Sequence, residues 1–143
     1  AGIDLGYEGP ERGDDSLLRL TGQPVLVREL IRNLVDNALQ YTPRGGTVTV
    51  RVLADPFGQV VVLQVEDNGP GIAEAERELV FQPFYRALGT EVDGSGLGLA
   101  IVREIAERHD ASVSIESTHP HSSMPGTRVT VRFVVHAAQR IAP

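Results

Sequence analysis

The sequence predicts an α+β domain in which β-hairpins and helices pack around one core. Two pairs of β-rich runs are each joined through residues that favour turns, so both pairs are expected to be antiparallel rather than linked by helical crossovers. Two longer segments carry apolar residues at helical spacing. The segments behind this prediction are residues 24–39, 47–53, 60–66, 97–108, 111–117 and 127–135. At 143 residues, the chain fits one domain better than two.

The first half of the chain opens with two short β-rich runs, Ile3–Leu5 and Leu17–Leu20, on either side of an acidic, glycine-containing loop. Pro24 then lies in the first turn of the first helix, where its missing N–H leaves no hydrogen bond unmade. A cluster of breakers at 42–46 ends that helix. Residues 55–58, Asp-Pro-Phe-Gly, have the composition of a type I turn, which predicts an antiparallel hairpin.

Residues 67–71, Asp-Asn-Gly-Pro-Gly, end the strand pattern of the first half of the chain. Residues 73–80 are then predicted to form a short acidic helix. A glycine-bearing stretch covers 82–96. The second long helix then carries Leu97, Ile101 and Ile105 one turn apart, which predicts a buried face. The last residues, 136–143, are expected to fray.

Composition excludes several classes of function. The chain has no cysteine, which excludes iron–sulfur clusters, Cys-ligated zinc and thiol catalysis. All 13 basic residues are arginine, and the lack of lysine excludes a Walker-type P-loop and a Schiff-base enzyme. The net charge of −6 makes nucleic acid and anionic membrane surfaces poor partners. No apolar run approaches the roughly 20 residues of a membrane span.

A polar seam interrupts the apolar first helix. Asn33 and Asn37 lie one turn apart, in line with Glu29 before them and Tyr41 after them. Asparagine is a mediocre helix former and is costly to bury without partners. The seam is therefore either a solvated stripe on an amphipathic helix or a place where Asn37 offers its carbonyl oxygen to a hard cation such as Mg²⁺.

Two glycine-rich strings follow. Asp67 to Ile72, Asp-Asn-Gly-Pro-Gly-Ile, comes directly after a strand, which puts one carboxylate at the rim of a pocket where it could accept from an exocyclic amine such as that of adenine. The alternative is an ordinary Asp-Asn-Gly turn. Gly94 to Leu99 opens the second helix and offers unpaired N–H groups to an anion, or is a flexible linker. Between them, Phe81 and Phe84 are expected to anchor a loop.

Taken in order, these strings resemble the catalytic, ATP-binding domain of bacterial sensor histidine kinases, within the Bergerat-fold ATPase superfamily shared with gyrase and Hsp90-type chaperones. Residues 30–38 resemble the N box of that family, and 67–71 resemble its first glycine box. Residues 81–84 resemble the F box, 94–98 the second glycine box, and Gly126-Thr127 the last and weaker box.

The resemblance implies that residues 1–143 form one histidine kinase catalytic and ATP-binding domain. Its fold would be a two-layer α/β sandwich, with a mixed, mainly antiparallel sheet covered on one face by about three helices. Residues 82–96 would form the ATP lid. The opening residues, Ile3–Glu8, are also similar to sensors of the tricarboxylate-transport and quorum-sensing type.

The resemblance also implies roles for single residues. Asn37 would coordinate Mg²⁺ between the ATP phosphates, with Asn33 supporting the phosphate end. Asp67 would accept from the adenine amino group, with Tyr41 packed beside the ring. Arg86 would face the β- and γ-phosphates, and Asn33 and Arg86 are the expected catalytic residues. The implied binding set is Asn33, Asn37, Tyr41, Asp67, Gly69, Gly71, Ile72, Arg86, Gly94, Gly96, Leu97, Gly98 and Thr127.

Two departures from the family pattern bear on the chemistry. Gln40 stands where a basic residue is common, so nucleotide affinity is expected to depend on the metal. Asn33 stands where hydrolytic relatives carry a glutamate base, so attack by water is expected to be slow. His109-Asp110 superficially matches a phosphoacceptor motif, but its position at a helix end predicts a C-terminal cap instead.

The resemblance implies a phosphoryl transfer from ATP to a histidine on a separate dimerisation and phosphoacceptor domain, with a response regulator as the later partner. The fragment alone would then not phosphorylate itself. It would be a cytoplasmic domain, with its parent protein in the bacterial inner membrane and no direct membrane contact of its own. Two alternatives stay open: a nucleotide-binding regulatory module without transferase activity, and an anti-sigma-type serine kinase of the same fold.

Overall fold

The computed structural model describes residues 3–8, 24–54, 60–83, 85 and 98–134. Five strands and two α-helices lie in these ranges, together with two single-turn 3-10 helices at Glu74–Glu76 and Leu79–Phe81. In chain order the main elements are β1 (Asp4–Glu8), α1 (Pro24–Tyr41), β2 (Thr47–Ala54), β3 (Val60–Asp67), α2 (Gly98–Arg108), β4 (Ser112–Glu116) and β5 (Thr127–Val134).

The strands form one sheet in the order β1-β2-β3-β5-β4. Strand β1 runs parallel to β2, and every other neighbouring pair is antiparallel. In the middle of the sheet, Leu63 of β3 lies opposite Val52 on one side and Val131 on the other. The predicted α+β class with a mixed, mainly antiparallel sheet is therefore confirmed.

The core lies between the two α-helices and one face of the sheet. On β3, alternate residues Val61, Leu63 and Val65 are buried, as strand geometry requires for a sheet with one covered face. Helix α1 contributes residues one turn apart, and helix α2 adds a second buried stripe. The buried helical residues are Leu30, Leu34, Ala38, Leu99, Val102, Ile105 and Ala106.

The opposite face of the sheet is held by charged side chains. Glu66 of β3 is only 7% exposed and forms ion pairs with Arg51 on β2 and Arg128 on β5. Arg128 also reaches Glu116 on β4 at 3.3 Å. Burial by itself would raise the pKa of Glu66, but the hydrogen bonds and charges of the two arginines together lower it below its usual value.

Two segments differ from the sequence prediction. Helix α1 continues to Tyr41, two residues beyond the expected end at 39, and the Thr42 hydroxyl closes it by donating to the Ala38 carbonyl at 2.7 Å. The acidic helix predicted at 73–80 is wrong in type. The structure forms two 3-10 turns there, because the first turn buries no side chain and only Val80 and Phe81 pack inward.

Other expected features fall outside the described residues. They are the strand predicted at 17–20, the turn at 55–58, most of the 82–96 lid and the fraying tail at 136–143.

Replacing Glu66 by Gln is predicted to lower the free energy of unfolding by about 1–3 kcal/mol at pH 7, because Arg51 and Arg128 lose a charged acceptor. Since the pKa of Glu66 is lowered on folding, its contribution is present above the unfolded pKa of about 4.3 and is lost as pH falls through the folded pKa. Urea denaturation from pH 3 to pH 7 measures this. If the free energy of unfolding changed equally with pH in wild type and in Glu66→Gln, the prediction would be wrong.

Candidate functional site

The polar seam of helix α1 consists of Asn33, Asn37 and Tyr41, and all three side chains are half-buried. They lie one turn apart, beside the fully buried stripe that starts at Leu30. The solvated stripe of the helix is a different one, made of Arg28, Arg32, Asp36 and Gln40, which are all exposed. The asparagines therefore lie at the boundary between core and solvent, where a pocket wall is expected, and not on the solvated face.

Asn33 has a fixed orientation. Its Nδ2 donates to the Glu29 carbonyl oxygen at 2.8 Å and to Glu29 Oε1 at 3.3 Å. Gly98, the first residue of α2, lies against the same turn: a Cβ added there would be 3.8 Å from Asn33 Oδ1. The start of helix α2 thus meets helix α1 at the seam.

Asp67 ends β3 and is only 6% exposed. Its Oδ1 accepts two backbone hydrogen bonds, from Gly69 N at 2.9 Å and from Thr127 N at 3.1 Å. Within the part of the chain that the structure describes, no donor reaches Oδ2. Burial raises the pKa of the Asp67 carboxyl, and the two backbone hydrogen bonds only partly oppose this.

The loop after Asp67 packs against the end of helix α1. A Cβ on Gly69 would lie 2.7 Å from the Tyr41 carbonyl oxygen, so only glycine allows this approach. Gly126 has a φ of +71°, and a Cβ there would overlap the Asp67 carbonyl oxygen. Its N–H donates to the Gly69 carbonyl at 2.9 Å. Two glycines therefore bring the seam, Asp67 and the start of β5 to one place.

The site predicted from the sequence is thus assembled in part. Gly98 lies beside Asn33. Ile72 and Thr127 are both buried. Thr127 donates its backbone N–H to Asp67, and Ile72 lies in the loop that follows Asp67. Gly71 has a φ of +82° in the same loop. Arg86, Gly94 and Gly96, which belong to the expected lid, and Leu97, which follows it, lie outside the described residues.

Comparison with known sequences agrees with this geometry. The family described as "Histidine kinase-, DNA gyrase B-, and HSP90-like ATPase" matches residues 22–137. The chain belongs to this family. The match includes the polar seam, the loop after Asp67 and the start of β5, and so covers the described residues that the structure brings together.

Relatives of this ATPase domain are sensor histidine kinases. The signal transduction histidine-protein kinase/phosphatase MprB of Mycobacterium sp. (strain KMS) is 46% identical over 99 residues, which are 68% of this chain and 19% of that protein. Sensor protein QseC of Salmonella typhi is 48% identical over 94 residues, 66% of this chain and 20% of that protein. The chain spans about a fifth of the length of these relatives.

Solved structures show the same likeness. The mycobacterial sensor histidine kinase MprB superposes with a TM-score of 0.78 at 30% identity, covering 93% of this chain and 84% of that one. The cytoplasmic segment of histidine kinase QseC superposes with a TM-score of 0.58 at 28% identity, covering 94% and 63%.

The F box of the ATPase domain is anchored as expected. Phe81 is buried, and the Arg103 guanidinium of helix α2 lies over its ring at 4.6 Å from the centroid. Arg103 also pairs with Glu78 at 2.8 Å, which ties the second 3-10 turn to α2. Phe84 lies outside the described residues.

Three residues that the sequence did not predict form hydrogen bonds to the candidate site or to the loop beside it. Thr118 donates its hydroxyl to the Asp67 carbonyl at 3.2 Å. Arg77 Nε donates to the Ile72 carbonyl at 3.2 Å, and its Nη2 donates to Ser117. Glu29 lies two helical turns before Asn37 and accepts hydrogen bonds from Asn33 Nδ2. Only Glu29 had a sequence signal, since it continues the one-turn spacing of the seam.

The His109-Asp110 pair ends helix α2 as predicted. His109 Nδ1 lies 2.8 Å from the Ile105 carbonyl, and Asp110 has a φ of +53°. His119 and His121 are exposed in the loop before β5. Among the helices that the structure describes, none has the length and apolar character to cross a bilayer.

Proposed function

We propose that this domain binds Mg·ATP and presents the γ-phosphoryl group to a histidine on a separate phosphoacceptor domain, in two-component signal transduction. The observation that carries the proposal is the free Oδ2 of Asp67, held beside the polar seam by the Gly69 contact with Tyr41. Family membership supports nucleotide binding, and the relatives' names support the kinase reaction.

Asp67 would bind the adenine end of the nucleotide. Both backbone donors use Oδ1, so Oδ2 is an acceptor without a described partner in a largely buried place. A ligand donor at this place would form a hydrogen bond to a charged acceptor, which typically contributes about 1.5–3 kcal/mol. The exocyclic amine of adenine is such a donor, and Tyr41 and Ile72 would give the ring an apolar wall.

Asn37 would bind the metal ion at the phosphate end of the nucleotide. Its half-buried carboxamide has no side-chain hydrogen bond among the described residues, so its oxygen is available as a ligand. Mg²⁺ prefers oxygen ligands and typically takes few from the protein and the rest from phosphates and water. The described residues contain no cluster of three or more His, Asp, Glu or Cys, so the asparagine and the nucleotide would supply the ligands.

Asn33, one helical turn before Asn37, favours phosphoryl transfer over hydrolysis of ATP. The Asn33 side chain cannot accept a proton from water, and its NH₂ group already donates hydrogen bonds to Glu29. Positioning and charge neutralisation then remain as the contributions of the protein, which is what phosphoryl transfer requires. We expect Mg²⁺, when bound, to neutralise the β- and γ-phosphates. Arg86 and the N–H groups around Gly96 and Gly98 stay predicted contacts to the β- and γ-phosphates.

The proposed partners follow from the kinase reaction. They are the dimerisation and phosphoacceptor domain of the same receptor, and then a response regulator. We propose that the domain lies in the cytoplasm as part of a longer, membrane-anchored sensor. Gln40 favours a second candidate, a nucleotide-binding module without transferase activity, because this exposed residue supplies no charge to the phosphates.

The two candidates differ in one experiment. The domain is mixed with γ-labelled ATP, Mg²⁺ and the separately purified phosphoacceptor domain of a related sensor kinase. Label that is acid-labile and base-stable on that domain is the expected result, because phosphohistidine has this stability. Nucleotide binding without any label would favour the regulatory module. Label on serine of an added anti-sigma-factor antagonist would favour the serine kinase.

Asn37→Ala is predicted to abolish the part of ATP affinity that depends on Mg²⁺, because the cation loses its protein ligand. Calorimetric titration with ATP, in Mg²⁺ and in EDTA, measures the two affinities. Wild type should bind at least tenfold more tightly in Mg²⁺, and the variant should show one affinity in both buffers. Asp36→Ala, an exposed neighbour on the same helix, is the control. A full Mg²⁺ effect in Asn37→Ala would remove Asn37 from the metal site.

Asp67→Asn is predicted to change the preference of the site from ATP to ITP. The amide oxygen can still accept from Gly69 and Thr127, but an NH₂ group would replace Oδ2 and oppose the adenine amine. We expect ATP affinity to fall about tenfold or more and ITP, whose base has an oxygen at that position, to become the better ligand.

The stability of Asp67→Asn is the control for this experiment. Burial raises the pKa of Asp67, which means that the ionised form is disfavoured in the folded state. The free energy of unfolding at pH 7 should therefore not fall in Asp67→Asn. An equal loss of ATP and ITP affinity in a stably folded variant would show that Asp67 does not face the base.

A further inference from the structure

Asn33 is the one seam residue whose amide is held by another side chain. Its Nδ2 lies 2.8 Å from the carbonyl oxygen of Glu29 and 3.3 Å from the Oε1 atom of the same residue. Both of these partner atoms are acceptors. Only the NH₂ end of the amide can face them, because a flipped amide would place its oxygen against two other oxygens.

The orientation of Asn33 is therefore set by chemistry. With its NH₂ end at Glu29, Oδ1 lies on the side of helix α2, 3.8 Å from where a Cβ of Gly98 would stand. Gly98 begins the helix whose N-terminal end is expected to face the phosphates. An amide oxygen at that place can hold a cation or a water of its shell, whereas an NH₂ group could only donate to phosphate.

We propose that Glu29 is a positioning residue, which holds the Asn33 amide so that its oxygen and not its NH₂ group faces the cation end of the nucleotide site. The proposal rests on the Mg·ATP site proposed above. It gives the Asn33 oxygen a role toward the hydration shell of the cation, in addition to the expected support of the phosphate end, and it gives Glu29 a role although this residue lies two helical turns from Asn37.

The surroundings of Glu29 leave it available for this role. Its other described partner is Arg32, at 3.9 Å, and that arginine side chain is 72% exposed, so the pair contributes little. Glu29 also lines the groove between the two helices, together with Leu26, Ile101 and Glu104. Glu29 thus lies where the two helices meet, one turn before Asn33, with its side chain 46% exposed.

The competing explanation is that the backbone carbonyl of Glu29 orients Asn33 without help. In that case the carboxylate would have no effect on the site. Replacing the side chain separates the two explanations, because the carbonyl remains in every variant. Glu29→Ala removes the second acceptor, while Glu29→Gln keeps an oxygen acceptor and removes only the charge.

The test measures nucleotide affinity with and without Mg²⁺ by calorimetry. In Glu29→Ala the gain in ATP affinity on adding Mg²⁺ should shrink about three- to tenfold, with the affinity in EDTA unchanged. Glu29→Gln should stay within about twofold of wild type, because its amide oxygen can accept from Asn33. Glu104→Ala removes another carboxylate from the same groove and should behave as wild type.

A second measurement requires no nucleotide. The side-chain NH₂ protons of Asn33, assigned by their loss in Asn33→Asp, should exchange slowly with solvent in the wild-type domain and faster in Glu29→Ala. Glu29→Gln should restore slow exchange. This readout reports the hydrogen bond itself, separately from the binding of ATP.

The outcomes are distinct. An unchanged Mg²⁺ effect in Glu29→Ala would overturn the proposal, and so would equal losses in Glu29→Ala and Glu29→Gln, since charge and not hydrogen bonding would then act. If wild type binds ATP normally, either result leaves the Mg·ATP site itself standing. Failure of wild type to bind ATP in either buffer would overturn both.

Discussion

The geometry of the site depends on how one buried carboxylate is held. Asp67 Oδ1 accepts backbone hydrogen bonds from Gly69 and from Thr127, which lies 60 residues later, and its carbonyl oxygen accepts from Thr118. One residue at the end of the central strand thus joins the loop after it to the start of the next strand in the sheet. Because both backbone hydrogen bonds use Oδ1, Oδ2 stays available for the ligand donor proposed above.

The strand geometry separates two neighbouring carboxylates into two roles. Glu66 and Asp67 point to opposite faces of β3. Two arginines neutralise Glu66 and lower its pKa, whereas Asp67 has only backbone donors and its pKa is raised. The fully paired residue stabilises the sheet. The incompletely paired one keeps an acceptor for a ligand, at a cost that the rest of the fold must offset.

Much of this arrangement could be predicted from the sequence, because it rests on short-range patterns. Alternation in β2 and β3, one-turn spacing in α1 and the glycines after Asp67 are visible in the chain. The contacts of Thr118 and Arg77 are not, since they join residues 51 and 40 positions apart through side chains without a distinctive pattern. The 3-10 turns were missed because acidic composition alone does not specify which helix forms.

The distribution of arginines leaves little positive charge near the seam among the described residues. Arg28 and Arg32 lie on the exposed stripe of helix α1, while Arg51 and Arg128 are committed to Glu66 on the far face of the sheet. None of these four can neutralise a triphosphate at the seam. The two seam asparagines are themselves uncharged, and they lie beside the N-terminal end of helix α2, which carries a partial positive charge. In the proposed site, a cation would therefore supply much of the charge neutralisation, together with Arg86 of the predicted lid, and the direction of the Asn33 amide oxygen would affect how well that cation is held.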